Sequence, residues 1–501
     1  MSAAEDLPGG PATPTGTEGL AGLERSSRAA NSGFMLAGQL LGRGSLFLSI
    51  MLLSRYLRGP DFGALLFAVV LGQIYLIFSD MGLSLVINMR TSVRPSDGQD
   101  LISVSMTLKT VLALAGLPLL LLSGALMGMT GQRLLLLSLI GVSVLFESYA
   151  EMFYSVFRAR EKMAYESASR VIMGITGLAA VILMMRFGAG LLAIACAYMF
   201  RTLAALAVSS FFVRRMDYRI RFTADTARVR ELLSAALPLG IMGLVIVVQQ
   251  RADNVVLRQM MGENAVAAWQ ECLRIVEILV LLVIPTLLPG ALFPSLCRAF
   301  ANGSYGKRVG DMSRVFTALA VMSSFVVLSA GDGLMRLVWG SDYLRGIDAG
   351  TLQLCLYLSL LGMAAVYLMH IMVNSLLAVN RIRIVVPVNL AALVMVVGGN
   401  LLLIPLMGLA AAGALFVAGN LFVLVSYWYF LRTRGYRLPV WKEASITLGV
   451  SIPSFTLLMV LRGSGFLPSL VPASALFLVL WWATGGGSAF RRLFPGRVQH
   501  D

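Results

Sequence analysis

The sequence predicts an all-α protein that crosses a membrane about fourteen times. Its 501 residues are 58% hydrophobic and only 13% charged, and their mean hydropathy is +0.82. A soluble chain of this length needs a more polar surface. Apolar stretches recur along the chain at about 20 residues each, the length that an α-helix needs to cross the hydrocarbon core. These observations indicate a polytopic helical membrane protein.

The predicted spans follow one another with short connections. A first segment, 1–32, is rich in Ala, Gly, Pro, Thr, Ser and Glu and has no apolar centre, so it is predicted to be a disordered tail rather than a signal peptide. The fourteen spans after it are predicted at 33–54, 63–86, 101–126, 134–157, 170–186, 189–213, 231–257, 264–297, 312–338, 348–378, 384–404, 408–430, 443–461 and 467–484.

The positions of the basic residues support this count. With the N-terminus inside, 27 of the 40 Lys and Arg residues fall on the inner side, 9 fall on the outer side, and four lie within apolar runs. Such an inner excess is typical of cytoplasmic loops, so both termini are predicted to be cytoplasmic. The net charge of +15 is assigned to these loops and to anionic headgroups. No nucleic-acid partner is predicted, because no basic stretch is interleaved with stacking aromatics.

A weak internal repeat predicts two lobes. One long apolar helix ends in Arg-Tyr-Leu-Arg within 55–64, and another ends in Leu-Arg within 257–265. In both places a glycine turn follows and a second helix begins. The offset is six spans, so the two halves share an orientation, as in transporters with a cavity between parallel halves. The predicted organisation is a tail (1–32), an N-lobe of six spans (33–213), a cytoplasmic linker (214–230), a C-lobe of six spans (231–430), two further spans (431–484) and a cytoplasmic tail (485–501).

Four cations lie inside apolar runs, namely Arg43, Lys109, Arg201 and Arg274. An ionised side chain at that depth costs roughly 3 kcal/mol or more on insertion scales. A guanidinium is permanently charged and binds phosphate oxygens bidentately. The four cations are therefore predicted to line a cavity and hold a negatively charged cargo. The alternative for each is a structural pair with a carboxylate, and Lys109 could instead snorkel toward the cytoplasm.

Acidic side chains accompany these cations. Glu147 and Glu151 lie four residues apart on one helix face, where they either pair with Lys109 or Arg43 or sense a coupling cation. Arg274 has a glutamate three residues to either side, which favours a self-neutralised helix surface as the alternative to a binding role. The other polar candidates near the cations are Gln39, Asp253, Glu271 and Glu277.

Metal and cofactor chemistry is not predicted. The four cysteines are far apart and form no CxxC motif, and the chain has two histidines. The sequence also has no P-loop, so energy for any transport would come from an ion gradient, the membrane potential or consumption of the product.

Several motifs occur in an order that is typical of one family. They include Arg-Tyr-Leu-Arg-Gly-Pro-Asp-Phe-Gly at 55–63, Phe-Arg-Ala-Arg-Glu-Lys-Met-Ala-Tyr at 157–165, Ala-Leu-Pro-Leu-Gly at 236–240 and Trp-Gly-Ser-Asp-Tyr at 339–343. Together they resemble the polysaccharide transporters, the oligosaccharide flippases of bacterial envelope assembly. The resemblance covers roughly residues 33–430.

The resemblance implies a fold shared with multidrug extruders and lipid II flippases, in which two six-helix bundles form a V. It implies movement of an undecaprenyl-pyrophosphate-linked oligosaccharide across the bacterial inner membrane, for O-antigen, capsule or exopolysaccharide export. Membrane lipids and polysaccharide polymerase or assembly proteins are the partners it implies. Such a protein is not an enzyme.

Two alternatives remain open at this point. A multidrug or cation antiporter on the same fold would need a carboxylate deep in spans 1 and 7, where this chain has Arg43 and no acid before Asp253. A membrane-embedded glycan polymerase or ligase would need catalytic groups on sizeable outer loops, and the predicted outer connections are short.

Overall fold

The computed structural model contains helices and no strand in the part of the chain that it describes. Twelve of these helices are long and apolar enough to cross a membrane. The described residues are 38, 41–57, 59–93, 98–216, 218–219, 221–223, 225–281, 296, 299–300, 302–340, 346–379, 381–436 and 438–493.

The N-terminal lobe contains seven helices, in which α5 packs on α2 and α7, and α6 packs on α7. They are α1 (41–56), α2 (Gly59–Asp80), α3 (Leu83–Val93), α4 (Gly98–Leu126), α5 (Gly131–Ala159), α6 (Met163–Arg186) and α7 (Leu191–Arg215).

The C-terminal lobe begins with two helices that also contact α2 of the N-terminal lobe, namely α8 (Thr226–Met261) and α9 (Glu263–Leu281). The helices after them are α10 (Tyr305–Trp339), α11 (Ala349–Ala378), α12 (Val385–Met407), α13 (Leu409–Thr433), α14 (Val440–Leu461), α15 (Phe466–Trp481) and the short α16 (Gly487–Leu493). Within this lobe α11 packs on α9 and α13, and α12 packs on α8 and α13. The last helices, α14 to α16, pack against α10.

The fourteen predicted spans correspond to helices of the structure. Twelve match the helices that satisfy the length and hydropathy of a membrane span. Predicted spans 1 and 8 coincide with α1 and α9, and their remaining residues lie outside the described part of the chain. The fold class is therefore confirmed, whereas the domain boundaries stay predictions.

Two predicted segments differ in detail. Predicted span 2 (63–86) is broken into α2 and α3, because Met81 (φ 39°) and Gly82 (φ 83°) adopt left-handed backbone conformations. A Cβ on Gly82 would lie 2.6 Å from the carbonyl oxygen of Ala236, so glycine also permits close contact with α8. The predicted tail 485–501 contains α16, which is separated from α15 by a kink at Gly485 (φ 97°).

Close packing between α1 and α6 depends on glycine. A Cβ on Gly42 would lie 3.0 Å from the carbonyl oxygen of Arg170, and a Cβ on Gly174 would lie 3.0 Å from the Cα of Gly42. Small residues at helix contacts let backbones approach each other in membranes, where dispersion replaces the hydrophobic effect. This contact lies on α1 immediately before Arg43.

A buried ion pair joins α2 to α4 in the N-terminal lobe. Lys109 Nζ lies 2.6 Å from Asp80 Oδ1, and the lysine side chain is 0% exposed. Asp80 also accepts a hydrogen bond from the Ser84 hydroxyl at the start of α3. The three helices therefore share one charged contact, and the cost of burying Lys109 is offset by its carboxylate partner.

The two lobes are joined at the ends that the basic residues assign to the outside. Arg133 of α5 lies 2.7 Å from the Glu263 carboxylate of α9, and Arg258 of α8 donates to the Met127 carbonyl oxygen at 2.6 Å. Arg55, in the last turn of α1, donates to the Val338 carbonyl oxygen at 3.2 Å. This last contact sets a cation at the negative end of α10.

On the inner side the segment between the lobes lies against α4. Thr107 donates to the Thr223 carbonyl oxygen at 3.1 Å, and Arg228 lies 2.6 Å from the Asp100 carboxylate. The first turns of α8 are therefore held by the N-terminal lobe, although α8 continues into the C-terminal lobe.

Replacing Gly42 by leucine should destabilise the protein by about 1–3 kcal/mol, because the added side chain would force α1 away from α6. Gly44→Leu is the matched control, since a Cβ there meets nothing within 4 Å. The free energy of unfolding in detergent is the measurement. Equal stability of the two variants would contradict the proposed packing.

Lys109→Met should destabilise by about 3–5 kcal/mol, because it leaves the Asp80 carboxylate buried without its cation. The double variant Lys109→Met/Asp80→Leu should recover much of that loss. Thermal unfolding in detergent gives the coupling free energy of the pair, and additive effects of the two changes would show that the ion pair is not a structural contact.

Candidate functional site

A small pocket lies where α9 of the C-terminal lobe meets the N-terminal lobe. Its volume is about 120 Å³, and its walls come from α1, α2, α5, α7 and α9. Most of the lining is aliphatic, and the polar and aromatic exceptions are Gln73, Ser143, Glu147, Tyr198, Arg201 and Arg274. The pocket therefore brings two of the four predicted intramembrane cations together.

Arg201 enters the pocket from α7 and is anchored on three sides. Its guanidinium lies 3.4 Å from the Glu147 carboxylate of α5 and 5.1 Å from the centre of the Tyr198 ring. A Cβ on Gly177 of α6 would lie 3.1 Å from Arg201 Cδ, so that glycine leaves room for the arginine stem. Ser143 donates to the Tyr198 carbonyl oxygen at 3.0 Å and holds α5 against α7.

Arg274 reaches the same pocket from the opposite lobe. It lies 3.5 Å from Glu277 on its own helix, and Glu277 in turn lies 3.8 Å from Arg251 of α8. The alternative predicted for Arg274, an ion pair within its own helix, is thus present, and its partner is Glu277. Because Arg274 and Arg251 share the single negative charge of Glu277, neither arginine is completely neutralised.

Both pocket arginines keep unused hydrogen-bonding capacity. The Nε–H groups of Arg201 and Arg274 are buried and have no hydrogen-bond partner in the described part of the protein. Buried donors are almost always satisfied, and a donor on a charged group is especially costly to leave unpaired. These two donors come from α7 and α9 and lie at one pocket.

A second group of charges lies beside the pocket in the N-terminal lobe. Arg158 and Arg170 each bridge Glu151 and Glu166, at distances of 3.2 and 2.9 Å for Arg158 and 2.9 and 3.0 Å for Arg170. The result is a closed ring of four charges that joins α5 to α6.

Arg43 lies between this ring and the opposite lobe. Its side chain is exposed, and its charge interacts with Arg170 and Glu151 of the N-terminal lobe and with Glu277 of the C-terminal lobe. The position of Arg43 between lobes is thus consistent with a cleft, although Arg43 does not line the pocket itself.

The charged groups around this interface are predominantly positive. Six arginines and four glutamates take part in the contacts and charge interactions described above, and a fifth glutamate, Glu271, joins α1 to α9, which leaves an excess of one positive charge. The ten residues are Arg43, Arg158, Arg170, Arg201, Arg251, Arg274, Glu147, Glu151, Glu166 and Glu277.

Two predicted site residues, Lys109 and Glu271, lie elsewhere. Lys109 is buried against Asp80, and neither Glu147 nor Glu151 pairs with it. Glu271 is buried and accepts a hydrogen bond from Ser54 at 2.7 Å. These residues join helices to one another and do not line the pocket.

Two predicted site residues remain, namely Asp253 and Gln39. Asp253 is buried and accepts hydrogen bonds from the Trp269 indole and from Asn254, so it belongs to the packing of α8 on α9. Gln39 lies outside the described residues.

Sequence reasoning missed four members of the charge cluster, namely Arg158, Arg170, Arg251 and Glu166. It counted Arg158 and Arg170 among the inner basic residues and Arg251 among the outer ones. Their helices extend further than predicted, since α5 continues to Ala159 and α6 begins at Met163. The four-residue spacing of Glu166 and Arg170 on α6 is the signal that could have identified this pair.

No group of histidine, cysteine and acidic side chains suited to a metal ion occurs among the residues that the structure describes.

Known structures with a similar fold are transporters. The lipid II flippase MurJ in an inward closed conformation is 12% identical with a TM-score of 0.70, and the match covers 93% of this chain and 99% of MurJ. An inward-facing multidrug resistance MATE family transporter of the MOP superfamily is 14% identical with a TM-score of 0.65, over 79% of this chain and 94% of that transporter. A MOP superfamily transporter from Pyrococcus furiosus is 15% identical with a TM-score of 0.60, over 81% and 95%.

These similarities confirm the predicted two-lobed transporter fold. Among curated protein sequences no relative matches the chain. The sequence profile of a family described as "Polysaccharide biosynthesis protein" matches residues 29–300, which is more than half of the chain. The chain is therefore a member of the polysaccharide biosynthesis protein family, with the fold of the MOP superfamily transporters.

Proposed function

We propose that the protein is a flippase that moves an undecaprenyl-pyrophosphate-linked oligosaccharide repeat unit from the cytoplasmic to the periplasmic leaflet. Membership in the polysaccharide biosynthesis family and the transporter fold support this class of activity. The pocket arginines, which come from opposite lobes and have unsatisfied N–H groups, are the observation that carries the proposal. The proposed location is the bacterial inner membrane with both termini cytoplasmic.

Cations suit the charged part of such a substrate. The polyprenyl tail can remain in the lipid, and the sugars need a hydrated space, whereas the pyrophosphate must pass through a region of low dielectric constant. Arginine offsets that charge with bidentate, charge-assisted hydrogen bonds. An excess of positive charge offers no such advantage to a cationic drug, so the cluster favours the flippase over a multidrug antiporter. Translocation breaks no covalent bond, so the proposed activity is not enzymatic.

The pocket in this structure would be the closed form of the binding site. Its volume of about 120 Å³ lies below the roughly 300–1,000 Å³ of ordinary ligand pockets. Because the outer ends of the lobes are joined through Arg133, Glu263 and Arg258, the proposed entry route is a separation of the lobes at their inner ends. Export would then require the outer contacts to break.

Glu147 is proposed to act as a resident anion that the substrate replaces. It holds Arg201 in the absence of pyrophosphate, and the substrate would displace it as the two lobes close on the diphosphate. A displaced carboxylate could accept a proton, which would link translocation to a proton gradient.

Arg201→Ala and Arg274→Ala should each reduce translocation by about 10- to 100-fold, because each removes hydrogen bonds to a charged group worth about 1.5–3 kcal/mol. The assay is the delivery of lipid-linked oligosaccharide to the outer leaflet of proteoliposomes, read by a membrane-impermeant glycosidase. Arg186→Ala, an exposed arginine at the end of α6, is the matched control. Full activity of a correctly inserted Arg201→Ala/Arg274→Ala variant would refute the proposal.

Glu147→Gln should bind a diphosphate-linked lipid several-fold more tightly than the parent, because the amide no longer competes for Arg201. If the carboxylate carries the coupling proton, transport by this variant should also lose its dependence on a pH gradient. Binding is measured in detergent and transport in proteoliposomes with and without the gradient. Unchanged affinity would rule out the resident-anion role.

A further inference from the structure

A second charged cavity lies at the end of the C-terminal lobe that the basic residues assign to the inside, and it shares no lining residue with the pocket between the lobes. Its volume is about 430 Å³, and it is bordered by the start of α10, the residues before it and the C-terminal helix α16. Its polar lining comes from Asn302, Ser304, Lys307, Arg308, Asp311 and Arg492. The transport mechanism proposed above makes no use of this cavity.

One ion pair builds the wall of this cavity. Arg492 of α16 donates from Nε and Nη2 to the two oxygens of Asp311, at 2.8 and 2.6 Å. Arg308 also donates to the Arg492 carbonyl oxygen. These contacts hold α16 against α10, so the cavity has walls from two helices that are fixed to each other.

The lining keeps an excess of positive charge. Asp311 is the single acidic residue that lines the cavity in the described part of the chain, and Arg492 already neutralises it. Lys307 and Arg308 therefore contribute two uncompensated positive charges. Lys307 is exposed and Arg308 is half-buried, so an anion can reach both of them.

Exposed aromatic side chains lie close in sequence to the residues that line the cavity. Phe300 follows the lining residue Ala299 and is 39% exposed, and Phe490 and Trp482, at 42% and 50% exposure, precede the lining residue Arg492. Such rings are typical of the membrane–water interface. The guanidinium of Arg491 lies 5.4 Å from the centre of the Trp482 ring, so a further cation lies beside one of them.

We propose that this cavity binds the phosphate headgroup of an anionic phospholipid from the inner leaflet. Basic pockets between helices on the cytoplasmic side are suited to anionic headgroups, and each nearby cation contributes about 1 kcal/mol. The lipid would contact α10 and α16 together and stabilise their packing. A free phosphate ion has the same chemistry, so the experiment must distinguish the two sources.

The test compares lipid retention by the full-length protein and two double variants. Lys307→Gln/Arg308→Gln removes the excess charge. Arg381→Gln/Arg383→Gln is the matched control, because it removes two exposed cations from the turn before α12, which the basic-residue pattern assigns to the same inner side. Each protein is purified from mixed phosphatidylglycerol and phosphatidylcholine, and native mass spectrometry counts the bound phosphatidylglycerol.

The parent and the control should retain phosphatidylglycerol, and Lys307→Gln/Arg308→Gln should bind it about 25-fold more weakly, about five-fold for each cation removed at about 1 kcal/mol. Unfolding temperatures in phosphatidylcholine alone show whether the variants are folded, and phosphatidylglycerol should raise them in the parent and control only. Equal lipid loss in both variants would overturn the proposal. Calorimetric binding of inorganic phosphate without retention of phosphatidylglycerol would also overturn it, in favour of a free ion. None of these readouts depends on flippase activity.

Discussion

The organisation of this protein depends on how ionised side chains are accommodated within a bundle of membrane-spanning helices. An isolated charge in the hydrocarbon region is costly, and removal of either partner of a buried pair costs several kcal/mol. The chain meets this constraint in two ways. Lys109 is completely buried with one carboxylate and joins three helices, whereas the arginines near the lobe interface share too few glutamates and remain incompletely neutralised.

That difference separates charges that stabilise the lobes from charges that are suited to bind substrate. The ring formed by Arg158, Arg170, Glu151 and Glu166 is internally balanced and fixes α5 to α6. Arg201 and Arg274 lie on either side of the interface and retain unpaired N–H groups. The ring of four charges therefore lies beside two arginines, Arg201 and Arg274, whose N–H groups are not all hydrogen-bonded. This arrangement is expected where an anionic substrate supplies the missing partner during transport.

The lobes also differ in how they are joined at the two ends. On the outer side, arginines contact carboxylates and backbone carbonyls of the opposite lobe, and such contacts can form and break with little change in helix structure. On the inner side, α8 is held by the N-terminal lobe through the linker. The C-terminal helix adds a separate charged cavity that would respond to lipid composition, so the membrane could affect the lobe that carries Arg274 without contacting the substrate.

The sequence by itself determined the fold class, the number of spans and the four intramembrane cations, because hydropathy, span length and the cost of burying charge are properties of the chain. It also carried the family motifs. The sequence did not determine which of these cations lie near one another. Each face of a helix can pack against lipid, against a neighbouring helix or against a cleft, and only the tertiary packing decides among these. Lys109 and Arg201 lie within similar apolar runs, yet one lies against Asp80 and the other faces the opposite lobe. Tertiary structure also added Arg170 and Arg251, because the packing of α6 on α5 and of α8 on α9 brought them against Glu151 and Glu277.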